Sequence, residues 1–204
     1  KMAANILNQW LDNNYDGKPD NDFVINALIK NNATLIMGQS EDDLEFFFEN
    51  LIDVLEKENI DIDNFESTFV GLISSEPNIA YLEEILHLVT QVGYANAYPE
   101  VFGEFKGSSI SKAMDVARGG YFETVPEIYP KSSWYHYYDK SCDYACMITE
   151  YFYWSLTSLL GAQINRYDEI SEEWELNTPN KMTKDKLIIE LFKDEKYQIP
   201  NRLP

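Results

Sequence analysis

Between Asp143 and Leu160 the chain is apolar on nearly every side of a helix and carries, after its first residue, a single charge, Glu150. A helix without a polar face belongs in an interior. A carboxylate placed there costs on the order of several kcal/mol unless it is paired or ligates a metal. The fold must therefore bury this helix and give Glu150 a partner. Cys142, Cys146, Thr149, Glu150, Tyr153 and Thr157 share one stripe at helical spacing, so the partner lies along that stripe. Two partners compete: an ion pair with Arg118 or Arg166, or a bound metal.

The rest of the chain supplies helices and few strands. Met2–Leu11 reads as a short helix, broken at Gly17 and Pro19. Asp22 caps a second helix over 23–30, with Val24, Ala27 and Leu28 on its buried face. Short apolar runs at 33–37 and 67–73 predict two strands, the second ended by the Ser-Ser-Glu-Pro at 74–77. Between them a helix starts at Ser40 and reaches Lys57. Further helices are predicted over 78–92 (stopped by Gly93), 111–118, 142–160, 168–174 and 184–192. The class is α+β, predominantly helical, and the absence of a linker predicts one domain over 1–204.

Thirty-five Asp and Glu against 16 Lys and Arg leave a net charge of −19, which repels nucleic-acid phosphates and anionic membrane surfaces. The same charge suits calcium, a cationic ligand, or plain solvation. No run approaches the roughly 18 consecutive apolar residues of a spanning helix. A Lys1 start without an apolar leader reads as a trimmed mature chain or a fragment. There is no nucleophile elbow, phosphate loop or dinucleotide fingerprint. The two cysteines, Cys142 and Cys146, are open to three readings: packed thiols, a metal pair or a short disulfide. His136 reads as a surface or packing residue, and Asp115 as another candidate acid or a partner of Arg118 one helical step away.

Asp12, Asn14, Asp16 and Asp20 occupy the first, third, fifth and ninth positions of a loop with Gly17 at the sixth. Calcium takes six to eight oxygens, and alternate side chains of a tight loop can converge on one ion, the Lys18 carbonyl supplying the seventh position. The twelfth position is Phe23, so the loop lacks the bidentate Glu of an EF-hand. It resembles the shorter calcium loops of extracellular modules. The alternative is a solvated Asn/Asp turn.

In Glu83-Glu84-Ile85-Leu86-His87, positions 82, 85, 86, 89 and 92 form the core stripe, which leaves Glu83 and His87 together on another face with Glu84 beside them. The segment resembles the His-Glu-x-x-His signature of zinc peptidases, with Glu83 in the first ligand place. A carboxylate there moves the donor set toward harder metals. The gluzincin branch of that family takes a third ligand, a Glu, from a later helix, and Glu150 lies 63 residues after His87. The blocks 83–93 and 142–154 are also similar to segments of uncharacterised exported bacterial proteins.

The resemblance implies a zincin-like domain and a metal-dependent hydrolase acting on a peptide or protein. Glu83, His87 and Glu150 would hold a divalent transition metal, zinc in the family. Glu84 would act as general base, and Tyr153 or Tyr151 would supply a phenol to polarise the substrate carbonyl. A non-catalytic, calcium-stabilised extracellular module of zincin-like shape is the competing expectation. Both place the chain in a secreted or periplasmic setting.

Overall fold

The computed structural model describes residues 1–57, 69–73 and 78–204. Helix α1 (Met2–Leu11) leads through the acidic loop into α2 (Asp22–Lys30). Strand β1 (Thr34–Gly38), helix α3 (Glu41–Lys57) and strand β2 (Phe69–Ile73) follow, and the strands pair in parallel with Thr34 opposite Phe69 and Gly38 opposite Ile73. Parallel neighbours need a crossover, and α3, packed on both strands, lies within it. The chain is thus α+β and predominantly helical, with a two-stranded sheet among the described residues. Both strand expectations hold where described; Ser67, Thr68 and the stop at 74–77 lie outside the described residues.

Helix α4 (Asn78–His87) passes into a π-helical stretch, Leu88–Tyr94, and then into the short α5 (Ala95–Ala97) and α6 (Pro99–Phe102). Gly93 was expected to stop the helix, and it does not. A Cβ at Gly93 would lie 2.8 Å from Val24 Cγ1, so the glycine is there to let α2 pack closely. The wider turn begins immediately after His87, and π-turns of this kind recur at functional sites.

Helix α7 (Ser109–Ala117) starts two residues before its expected beginning because Ser108 caps it, its hydroxyl accepting from Ser111 N at 3.1 Å. The long helix α8 (Tyr144–Leu159) is capped by Asp143, which accepts from Cys146 N, and ends at Gly161, whose φ is +88°. Twelve of its sixteen residues are buried, so the interior position required by its composition is the one it takes. Helices α4 and α7 pack against it. At 167–170 a single turn, α9 (Tyr167–Ile170), replaces the longer helix expected over 168–174. Trp174, fully buried, instead bridges to Tyr135 in antiparallel fashion and donates Nε1 to Ser158 Oγ. Two helices close the chain, α10 (Pro179–Met182) and α11 (Lys186–Lys193).

Asp185, capping α11, accepts from both Trp134 Nε1 and Tyr151 Oη, at 3.0 and 2.7 Å, which ties α8 to the C-terminal segment. Capping of α2 falls to Asn21, one residue before the expected Asp22, because the Asn21 side-chain Oδ1 accepts from the amides of Phe23 and Val24. One cluster of buried apolar side chains runs from Ala3 to Ile199. Among the described residues, no helix is long and apolar enough to cross a membrane.

Candidate metal centre

The site forms where α4 crosses α8. Ile85, Leu86, Val89 and Val92 are fully buried, as their spacing predicts, while Leu82 of the same stripe is only partly buried, and this turns Glu83, Glu84 and His87 toward the side where α8 presents Glu150. Glu83, His87 and Glu150 each bring one ligand atom to a common point, with the three atoms within 4.8 Å of one another. Ligands held at about 2.1 Å from one ion stand at most about 4.2 Å apart, so a small contraction closes the set. The carboxylate Oε1 of Glu150 lies 3.8 Å from His87 Nε2. That nitrogen is buried and has no hydrogen-bond partner, so it is available to ligate an ion.

Glu84 occupies a different station. Its Oε2 lies 3.7 Å from His87 Nδ1, on the opposite ring nitrogen from Glu150. A carboxylate there orients a ligating imidazole and raises its basicity. The resemblance implies a general base at Glu84; in the structure its carboxylate, three positions before His87, lies against the imidazole ring.

Charge dominates the site. Burial by itself would push the His87 imidazole down, but Glu150, Glu84 and Glu83 outweigh it and raise its pKa to about 9. Burial raises the Glu150 carboxyl, His87 pulls it back, and repulsion from Glu83, Glu173 and Glu84 adds to a pKa of about 7. Burial likewise pushes Glu83 upward. Two further carboxylates stand near: Glu173, which accepts from Trp154 Nε1 at 2.7 Å, and Glu104, which accepts from Thr149 Oγ1; burial lifts each to about 7. So many interior carboxyls around one imidazole favour a cation strongly. One nitrogen and two carboxylate oxygens would leave positions on the ion for water or substrate, which a Lewis-acid centre requires.

The alternative partners of Glu150 do not meet it. Arg166 pairs with Glu169, and the fully buried Arg118 donates Nη1 to the Phe122 carbonyl at 2.8 Å. Nor does Arg118 pair with Asp115, which accepts from Tyr144 Oη at 3.0 Å instead. Arg118 follows the last residue of α7 and turns toward the loop beyond it. Tyr151 is held by Asp185, away from the ion position, whereas the Tyr153 ring meets that of His87 edge-on at 5.7 Å. His136 packs against Tyr129, at 5.5 Å between rings, as expected.

Cys142 and Cys146 form a disulfide, with 5.3 Å between their Cα atoms. Cys142 precedes the cap of α8, so the pair does not have to span a helical i, i+4 separation. In the acidic loop, Asp12 accepts from the amides of Asp16 and Gly17, Asp16 from that of Lys18, and Asp20 from Asn13 N and Asn14 Nδ2. Gly17 makes the turn at φ +82°. The carboxylates of Asp12, Asp16 and Asp20 do not form a group as tight as the one at His87 among the described residues.

Glu104, Glu173 and Gln163 escaped the sequence reading. Glu104 lies between Gly103 and Phe105, outside any helix, so no periodicity marks it; Glu173 belongs to a segment whose helix ends earlier than its pattern suggests. Comparisons with protein-family models, curated proteins and solved structures find no match to this chain.

Proposed function

We propose that this chain is a metal-dependent hydrolase of zincin-like type, in which Glu83, His87 and Glu150 hold a divalent transition metal that activates water for attack on a peptide or protein substrate. The observation that carries the reading is the approach of one ligand atom each from Glu83, His87 and Glu150 to within 4.8 Å of one another, beside a His87 Nε2 that has no hydrogen-bond partner. The arrangement of two ligands on one helix and a Glu on a later helix is that of gluzincins. The donor set, richer in carboxylate than a peptidase zinc site, favours harder divalent metals beside zinc. Glu84 acts through His87, holding the ring so that Nε2 faces the ion.

The test is metal content of purified protein followed by hydrolysis of a peptide library. A stoichiometric transition metal, with turnover lost in Glu150→Gln, supports the reading. Metal-free protein that neither binds added metal nor cleaves any peptide overturns it.

A second reading keeps the metal centre without catalysis and adds calcium in the loop of Asp12, Asn14, Asp16, the Lys18 carbonyl and Asp20. Two observations favour it. Glu84 sits at Nδ1 rather than facing the ion position, and the loop is already turned about Gly17 with Asp12 receiving two amides. The Cys142–Cys146 disulfide supports an exported setting for either reading.

A further inference from the structure

Glu83 and His87, four apart, share one face of α4, and α8 answers with a pair of the same spacing. Glu150 follows Cys146 by four and precedes Tyr153 by three, so these three side chains lie along one line of the helix. That line is the one turned toward His87. Glu150 Oε1 stands 3.8 Å from His87 Nε2, and the Tyr153 ring meets the imidazole edge-on at 5.7 Å. Gln163 holds Tyr153 in this pose by donating Nε2 to its hydroxyl at 3.2 Å. Side chains on a helix lean toward its N-terminus, so the Glu150 carboxylate lies over the turn that begins at Cys146. Neighbours of this spacing have Cβ atoms about 5–6 Å apart. Cys146 therefore belongs to the side of α8 that faces the buried, unpartnered nitrogen of His87.

The disulfide withholds its sulfur. Bonded to Cys142, the Cys146 sulfur is not among the ligand atoms that approach one another at His87. Cys142 is buried whereas Cys146 is only partly so, which makes Cys146 the sulfur open to attack by a thiol.

We infer that the Cys142–Cys146 disulfide is a redox lock on a fourth metal ligand, and that its reduction lets the Cys146 thiolate join Glu83, His87 and Glu150 on the ion. A dithiol supplies the two electrons and two protons: its own sulfurs close to a disulfide while Cys142 and Cys146 become thiols. Cys146 then gives its proton to solvent as its sulfur binds the metal. Three protein ligands leave a position open, as in catalytic sites, whereas four close it, as in structural sites. A thiolate also moves the donor set toward softer metals such as zinc. Reduction thus shuts the centre. The inference rests on the metal reading of Glu83, His87 and Glu150, and its test separates the two.

Cobalt(II) is the probe, because a bound thiolate adds a sulfur-to-metal charge-transfer band in the near ultraviolet that carboxylate and imidazole do not give. Oxidised wild type should bind cobalt without that band. Wild type reduced by a dithiol, which is removed under nitrogen before cobalt is added, should bind one cobalt with it. Loss of an outer partner alone weakens metal binding by about 10–100-fold, so a gained ligand should tighten it by about 10-fold or more. Cys142→Ser, in which Cys146 is never locked, should show the band without reduction. Cys146→Ser should bind cobalt as oxidised wild type does and never show it. Reduced wild type that takes up cobalt with no band, or a band that survives in Cys146→Ser, overturns the lock and leaves the metal reading standing. Cobalt bound with the band in the reduced state alone upholds the fourth ligand and overturns the open three-ligand centre. No cobalt in either state overturns both. If reduction and Cys142→Ser each abolish the helical circular dichroism and cobalt does not restore it, the lock is overturned, since a fourth ligand should tie α8 to α4.

Discussion

Glu150 and His87, brought from separate helices, stand with Oε1 3.8 Å from Nε2, too far for a hydrogen bond and near enough for strong attraction. The gap matters because an ion can occupy it. In the metal-free protein the protonated imidazole and the carboxylate attract each other across this distance, and a bound cation would take the proton's place. Glu83 stands beside the pair and Glu84 on the far nitrogen.

Binding of a divalent metal should raise stability. Any ligand that binds only the folded state adds about 2.7 kcal/mol at 100 times its Kd. At about 2–4 °C per kcal/mol, Tm should climb by roughly 5–10 °C with zinc or cobalt. Glu150→Gln should abolish the rise, and Glu84→Gln should keep it but require about 10-fold more metal. Differential scanning fluorimetry checks both.

Acid should stabilise the metal-free protein. The His87 pKa is raised from 6.5 to about 9, and those of Glu104, Glu150 and Glu173 from 4.5 to about 7. Each group therefore holds its proton more tightly folded than unfolded. The carboxyl contributions are complete below about pH 4.5 and lost as pH rises through about 7; that of His87 is complete below about 6.5 and lost through about 9. In EDTA, calorimetric Tm should fall from pH 5 to pH 9, while the increment from added metal grows from pH 5 to pH 8 because the ligands must be deprotonated. A metal-free Tm that rises over this range would show that these groups are not protonated in the fold.

Much of this site was legible in the sequence. The lone Glu150 on an apolar helix and the Glu83/His87 pair on one face needed only helical periodicity and the cost of a buried charge. Periodicity does not report what approaches a helix from outside. That is why Gly93 read as a stop when α2 packs on it, and why the approach of Glu84 to His87 Nδ1 was not foreseen. Glu104 and Gln163 come from non-helical segments whose paths only tertiary packing determines.

Gly93→Ala should destabilise the protein, although alanine is the better helix former by about 1 kcal/mol. The added Cβ would meet Val24 Cγ1 at 2.8 Å, and Val24 is buried and stiff at χ1. Overpacking of this kind costs about 1–3 kcal/mol. A urea titration should show a lower midpoint, with Val24→Ala in the same chain recovering part of the loss.

Calcium at millimolar concentration should raise Tm through the loop, and Asp16→Ala should remove that rise without touching metal binding at His87. A melting curve indifferent to calcium would leave Asp12, Asp16 and Asp20 as caps of the loop's own amides.

The central claim is tested most directly by anomalous diffraction from crystals grown with cobalt or zinc. The account predicts one anomalous peak between α4 and α8, within about 2.0–2.3 Å of a Glu83 oxygen, His87 Nε2 and a Glu150 oxygen. Saturating metal with no peak there, or with a peak at Glu84 and His87 Nδ1 instead, would contradict it.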